Sequence, residues 1–383
     1  MKPILKQIYK PVIETNNMLI IGLDKESLEI EDDDGLIKNL LGLMDGTRTI
    51  QDLAIDAKAD LDELTEFIYE LDSYGVLEDV EEIEHGYPND AQDERYRANI
   101  NYFSGFSNLK TNKHAFQKSL REASVCVLGL GGSNMAVGSL VGMGIGKLIG
   151  LDYDKVEISN LNRQFLYSQD DIGKHKTEVL YERMTNLNPE VEIEVHNLKV
   201  ENSECLSPVI KEADIVLNTI DQPSLLSARW VNFACVKQKK PFLQGGVANR
   251  RILWQKFLPH TSACYDCYLI HNLQSDPSFE AHLRGNYGLI LEGRNTAFAP
   301  NIAVMTGLFT NEIAKHITGF SPAIQTSTTI MLDTINYGEL SNEEHAKMEC
   351  CPTCSGNNAS TEPVDLDTLI EIAHMNKGAE HVY

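Results

Sequence analysis

The residues best placed to do chemistry fall into two groups: four cysteines in two pairs, and a set of acids and bases gathered behind a glycine-rich turn. Cys264-x-x-Cys267 and Cys351-x-x-Cys354 match the four-thiolate set of a tetrahedral structural zinc site, which leaves no open position. Such a metal staples the chain and activates no water, so the chemistry is sought upstream. There the β-branched run 124–128 leads into Gly129-Leu130-Gly131-Gly132-Ser133-Asn134 and then an apolar helix. A second apolar strand over 147–151 ends in Asp152. This is a βαβ unit whose glycines let backbone N–H groups approach phosphate, with the helix dipole behind them and an acid for ribose hydroxyls. By itself that turn fits any dinucleotide enzyme.

The next run is more specific. Asp152-Tyr153-Asp154-Lys155-Val156-Glu157-Ile158-Ser159-Asn160-Leu161-Asn162-Arg163-Gln164 continues to Gly173-Lys174-His175-Lys176. A helix over 159–164 would put Asn160 and Arg163 on one face. Arg163 and Lys176 would then bring two positive charges to a phosphate chain that an oxidoreductase has no need to pull apart. The apolar strand 214–220 ends in Asp221-Gln222, where a carboxylate can hold magnesium.

Together these motifs resemble the ubiquitin-activating-enzyme-like adenylyltransferases, the ThiF/MoeB superfamily, from about residue 95 to Cys354. The resemblance implies a Rossmann-like α/β fold and ATP-dependent adenylation of a carboxylate, with pyrophosphate leaving. It implies that Gly129, Gly131 and Gly132 face the nucleotide and that Asp152 holds the ribose. Asn160, Arg163, Gln164 and Lys176 would contact phosphates, and Asp221 would bind Mg2+. The resemblance also makes the two cysteine pairs a structural Zn2+ site, and the protein a homodimer in which an N-terminal arginine reaches the partner's ATP. Two departures stand out. Ser133-Asn134 follows the glycine pair where a further glycine is usual, so the loop reads as one residue short. The Arg-Tyr-x-Arg pattern reads Arg95-Tyr96-Arg97-Ala98, which makes Arg97 the first candidate for the cross-subunit contact and Arg95 the next. No cysteine lies between Tyr268 and Glu349, where a thioester nucleophile is often found, and Cys126, Cys205 and Cys235 read as inert. The segment 272–299 is expected to loop across the active site toward the substrate.

The elements that must position these residues divide the chain into 1–82, an acidic linker over 83–94, the adenylyltransferase domain over 95–358 and a tail over 359–383. The tail is expected to hold a helix with Leu369, Ile370 and Ile372. The net charge of −23 is uneven, since residues 1–85 hold 7 Lys and Arg against 22 Asp and Glu. That surface argues against nucleic acid, whose binding needs cations, and suits a basic peptide. With no long apolar run and no N-terminal signal pattern, the expectation is a cytosolic protein with no membrane partner. In the front segment, 18–22 and 27–30 alternate as a hairpin around Asp24-Lys25. Three helices follow. The first carries Ile37, Leu40, Leu41 and Met44. The second is capped by Thr47 or Thr49 and buries Ile50, Leu53, Ala54 and Ala57. The third carries Leu61, Leu64, Phe67, Ile68 and Leu71, then Gly75 breaks it before a returning strand at Val76-Leu77. This order is that of a winged helix.

The run 43–50, with 71–77 behind it, resembles the PqqD-like domains that grip the leader segment of ribosomally made precursor peptides. That resemblance implies strand addition beside the hairpin. A leader-gripping domain fused to a cysteine-less adenylyltransferase resembles the peptide-modifying enzymes of the microcin C type. The expected function is adenylation of a carboxylate, C-terminal or side-chain, on a ribosomal precursor peptide. Two alternatives remain: a leader-binding partner of an azoline-forming cyclodehydratase without ATP chemistry of its own, and a sulfur-carrier adenylyltransferase.

Overall fold

The computed structural model describes residues 1–15, 17–22, 27–80, 90–259, 261–290, 296–356 and 360–376. The chain divides into two compact units, Met1–Leu120 with Thr318–Ser321, and Arg121–Ile317 with Pro322–Tyr383.

In the first unit β1 (Pro3–Leu5), β2 (Ile13–Thr15), β3 (Met18–Ile21), β4 (Leu28–Glu31) and β5 (Leu77–Asp79) surround three helices, Leu36–Leu43, Ile50–Ala57 and Leu61–Ser73. Strands β2, β3 and β4 form an antiparallel sheet, and its β3–β4 pair is the expected hairpin. The Asp24-Lys25 turn lies outside the described residues. Leu40, Leu53, Leu64, Ile68 and Leu71 meet in one core, because helical spacing brings each onto the inner face. Thr49, rather than Thr47, caps the second helix, in a reciprocal pair with Asp52. Thr47 instead donates its backbone N–H to Asp45 at 2.9 Å. The returning strand pairs with β1 rather than with the hairpin. Lys6, fully buried beside this ribbon, donates to the carbonyls of Gly75 and Ser107 at 2.6 Å each. Burial lowers its pKa to about 8. Of the linker expected over 83–94, residues 83–89 lie outside the described residues, and 90–94 open the helix Asp90–Ser104.

The second unit is built on eight strands: β6 (Ser124–Leu128), β7 (Lys147–Asp152), β8 (Glu192–Asn197), β9 (Ile215–Asn218), β10 (Phe242–Val247), β11 (Arg251–Phe257), β12 (Ser327–Asp333) and β13 (Glu339–His345). Their order is β13-β12-β11-β10-β9-β6-β7-β8. Strands β10, β9, β6, β7 and β8 are mutually parallel, whereas β11, β12 and β13 join antiparallel. The parallel strands β6 and β9 are near-continuous apolar runs, as strands covered on both faces must be. The order reverses between β6 and β9, and a crevice opens beyond their carboxyl ends. This is an α/β Rossmann-like fold. The tail helix, Leu366–Met375, is capped by Asp365 and buries Leu369, Ile370 and Ala373, while Ile372 is only partly covered. Gln274 donates to the carbonyls of Ala373 and Asn376, tying this helix to Tyr265–Ser275. Among the described residues no helix is long and apolar enough to cross a membrane.

Candidate active site

A cleft of about 750 Å³ opens at the β6/β9 crevice. It brings Gly129, Gly131, Gly132, Asp152, Asn160, Arg163, Gln164, Lys176 and Asp221 to one place, although 92 positions separate the first from the last. The volume lies in the range that takes a drug-sized ligand.

The glycine turn is held from both sides. Gly129 has φ +84°, and a β-carbon there would stand 3.0 Å from the Thr219 carbonyl carbon. Thr219 Oγ1 donates to Gly129 O at 2.7 Å. A β-carbon at Gly131 would meet Gln164 Nε2 at 2.8 Å, so this position must stay bare for the amide to lie against the loop. The two residues that depart from the usual pattern do not crowd the cleft. Ser133 is fully buried and turns its hydroxyl back to Gly129 O. Asn134 is the first residue of the helix Asn134–Met143, and its Nδ2 donates to Gly131 O at 2.8 Å and to Arg163 O at 3.3 Å.

Asp152 stands at the end of β7 and is committed to the backbone. Its Oδ2 accepts from Leu130 N at 2.7 Å, and its Oδ1 accepts from Asp154 N at 2.8 Å. Lys176, at the start of the helix Lys176–Leu187, is buried and lies 2.8 Å from Asp154 and 3.9 Å from Asp152. Asp154 is thus a site residue that the sequence reading passed over. Its signal was its place two residues beyond the strand-end acid, on the same side of an extended chain. Asp221 is exposed, yet desolvation by the cleft around it raises its carboxyl above the usual carboxylate range. Asp154 adds to this rise, while Lys176 and Arg163 oppose it. Gln164 is buried with an Oε1 that has no hydrogen-bond partner among the described residues.

The expected helix over 159–164 is instead a single 3-10 turn, Ile158–Asn160, followed by further turns. Asn160 Oδ1 accepts from Glu157 N at 3.1 Å, and Arg163 O accepts from Asn134 rather than from a next helical turn. The backbone keeps one helical bond here, Gln164 N to Asn160 O at 2.9 Å, before the chain breaks into turns. The guanidinium of Arg163 donates to Ser159 O at 2.8 Å and Asn162 Oδ1 at 3.0 Å. The segment expected to loop over 272–299 carries the helix Phe279–Asn286. Ile290 and Ala297 reach the cleft, and 291–295 lie outside the described residues. Further lining comes from Lys199, Glu201, Trp230, Gly246 and Met305, residues that no spacing pattern marks in the sequence.

Arg97 and Arg95 are not among the residues lining this cleft. Both lie on Asp90–Ser104 in the first unit, where Arg97 is exposed and pairs with Glu94 at 2.8 Å. Cys126 and Cys235 are fully buried, and burial pushes both thiols up. Cys205 is half-buried and donates to Asn202 O.

The four paired cysteines converge. Cys264, Cys267, Cys351 and Cys354 place their sulfurs within 4.8 Å of one another. Separations of 3.9 Å (264 to 267), 3.6 Å (264 to 351) and 3.4 Å (267 to 354) bracket the about 3.8 Å edge of a tetrahedron with Zn–S bonds of about 2.3 Å. Soft sulfur ligands in a dry, closed cage fit zinc. Asp266, between the first pair, is fully buried, accepts from Arg229 at 2.9 and 3.1 Å, and accepts from Thr353 at 2.6 Å. The knuckle is thereby fixed to the helix Leu226–Gln238.

A model of the ThiF family matches residues 103–353, more than half of the chain. The chain belongs to the ThiF family. Among curated ThiF-like relatives, the Escherichia coli (strain K12) sulfur carrier protein ThiS adenylyltransferase is 28% identical over 246 residues, covering 63% of this chain and 90% of the relative. Ubiquitin-like modifier-activating enzyme 5 of Dictyostelium discoideum is 34% identical over 164 residues, and the match spans 42% of the relative's length and 39% of this chain. The crystal structure of E. coli MccB with AMPCPP and MccA superposes with a TM-score of 0.74 at 22% identity, covering 93% of this chain and all of that one. The fold is therefore shared along nearly the whole chain, the small front domain of strands and helices included.

Proposed function

We propose that this ThiF-family chain is an ATP-dependent adenylyltransferase that activates a carboxylate on a ribosomally made precursor peptide, for synthesis of a peptide natural product. The observation that carries the proposal is the convergence of the glycine turn, Asp152, Arg163, Lys176 and Asp221 in one cleft large enough for a nucleotide and a peptide end. The likeness to a MccB structure with AMPCPP and MccA supports the peptide as substrate.

In this reading the peptide carboxylate, ionised at neutral pH without a base, attacks the α-phosphorus. A new C–O–P linkage forms, the bond to the bridging oxygen of the β-phosphate breaks, and pyrophosphate leaves with the electron pair. Charge grows on the nonbridging and leaving oxygens, so fixed cations and N–H donors dominate the acceleration. The Gly131 and Gly132 N–H groups would supply backbone donors, those of Gly129 and Leu130 being taken by Leu151 O and Asp152, and Asp152 would take the ribose hydroxyls on lone pairs its two backbone bonds leave free. Asn160, Gln164, Arg163 and Lys176 would meet the phosphates, Gln164 through its Nε2, since its unpartnered Oε1 cannot bond a phosphate oxygen. Asp221 would hold magnesium. Arg97, with Arg95 next, would come from a second copy of the chain in a homodimer. The four cysteines would hold a structural zinc that takes no part in the reaction.

The first unit would grip the leader as a PqqD-like domain. Strands β2 and β4 are the edges of its small sheet, β2 is exposed throughout, and an edge strand offers unpaired backbone groups to a peptide. The acidity of this region suits a basic leader. In the alternative, the leader-binding partner of a cyclodehydratase, ATP residues are dispensable. Its one support in the sequence was the altered glycine loop, and Ser133 turns inward there rather than blocking phosphate. ATP–pyrophosphate exchange with the peptide encoded beside the gene tests the reading. Peptide-dependent exchange is expected, and tight leader binding without exchange would favour the alternative.

A further inference from the structure

One row of side chains crosses the sheet of the second unit from the cleft toward the cysteine knuckle. Asn218 on β9, Gln244 on β10, Gln255 on β11 and Thr329 on β12 are direct register partners, and His345 on β13 lies on the diagonal beyond. All five are buried. Asn218 Nδ2 donates to Gln244 Oε1 at 3.4 Å, Gln244 Nε2 to Gln255 Oε1 at 3.0 Å, and Gln255 Nε2 to Thr329 Oγ1 at 2.9 Å. Thr329 Oγ1 then lies 2.7 Å from His345 Nε2, within hydrogen-bond distance. The three amide donors all point the same way, away from the cleft.

A file of buried polar groups is expensive unless each is satisfied, and apolar residues would serve packing equally well. The end at the cleft shows what the file secures. Asn218 Oδ1 accepts from Ile220 N at 3.1 Å, closing the turn that carries the chain from β9 to Asp221. An amide has two ends of equal size, and only the oxygen can close this turn. Gln244 Oε1, by accepting from Nδ2, fixes which end faces Ile220, and each later member fixes the amide before it.

We propose that Gln244 and Gln255 are positioning residues. They set the orientation of the Asn218 amide and so hold the Asp221 turn in the form that binds magnesium-ATP. The inference rests on the proposed role of Asp221. The test compares Gln244→Met, which removes the acceptor, with Gln244→Glu. A buried, protonated glutamate again offers one donor and one acceptor. In Gln244→Met the Mg2+ concentration for half-maximal ATP binding should rise about three- to tenfold, as expected for one lost hydrogen bond. Hydrogen exchange at the Ile220 amide should quicken, and Gln244→Glu should restore both. Gln255→Met, a step further from the turn, should move both readouts in the same direction by less, and it serves if Gln244→Met does not fold. Unchanged magnesium dependence and exchange in both Met variants would overturn the proposal. So would equal loss in Met and Glu variants with a matching fall in melting temperature, the mark of packing alone. If the unaltered protein binds no magnesium-ATP, the nucleotide reading falls, and the exchange rate at Ile220 decides the positioning role by itself.

Discussion

The cysteine knuckle and the nucleotide cleft are both polar centres in the second unit, and they are built on opposite terms. In the knuckle every group has its partner within the fold: four sulfurs face one another, and Asp266 is matched by Arg229 and Thr353. In the cleft polar groups are held short of satisfaction. Gln164 Oε1 has no partner among the described residues, Asp221 stands exposed with its carboxyl raised by partial desolvation, and Lys176 rests on an acid half open to solvent. A closed polar centre holds shape, whereas an open one keeps interaction energy in reserve for a ligand.

The contrast can be broken first at the metal. Chelation of zinc, or Cys351→Ser, should remove a site whose binding free energy is roughly 10–16 kcal/mol in small zinc peptides. The expected outcome is loss of cooperative unfolding by calorimetry, not a selective loss of ATP affinity. Next, Arg229→Met strips the partner from a fully buried Asp266 and should cost roughly 3–5 kcal/mol in denaturant unfolding. The same change should leave the KM for ATP near its original value. Lys176→Met acts on the other side of the comparison. It should lower kcat by about a hundred- to a thousandfold, as loss of a charge-stabilising donor does. Its melting temperature should stay within a few degrees.

The sequence carried much of this division, and particular residues show where it stopped. The C-x-x-C pairs and the glycine turn are local patterns with fixed spacing, and the structure brings each set together. The helices of the front domain were legible from apolar periodicity, with Leu64, Ile68 and Leu71 on one buried face. Strand β1 was missed because three residues beginning with proline are too few to alternate, and its pairing with β5 is set by tertiary packing. At 159–164 Asn160 closes a local capping turn on Glu157, while Asn134 takes the Arg163 carbonyl from 29 residues away, a contact no local pattern records. Trp230, Gly246 and Met305 reach the cleft only through the topology of the sheet.

Asp221 is where the two terms meet most sharply. Its folded-state pKa is raised, so its contribution to stability is greatest below the ordinary carboxylate range and is lost as pH rises through the raised value. Asp221 is exposed, so solvent screens that contribution, and Asp221→Asn should melt within a few degrees of the unaltered protein. The measurement that decides the account is peptide-dependent ATP–pyrophosphate exchange on both proteins, with leader binding followed on the same samples. The account predicts exchange in the unaltered protein, none in Asp221→Asn, and equal leader affinity in the two. Exchange that survives in Asp221→Asn, or is absent from the unaltered protein despite tight leader binding, would contradict it.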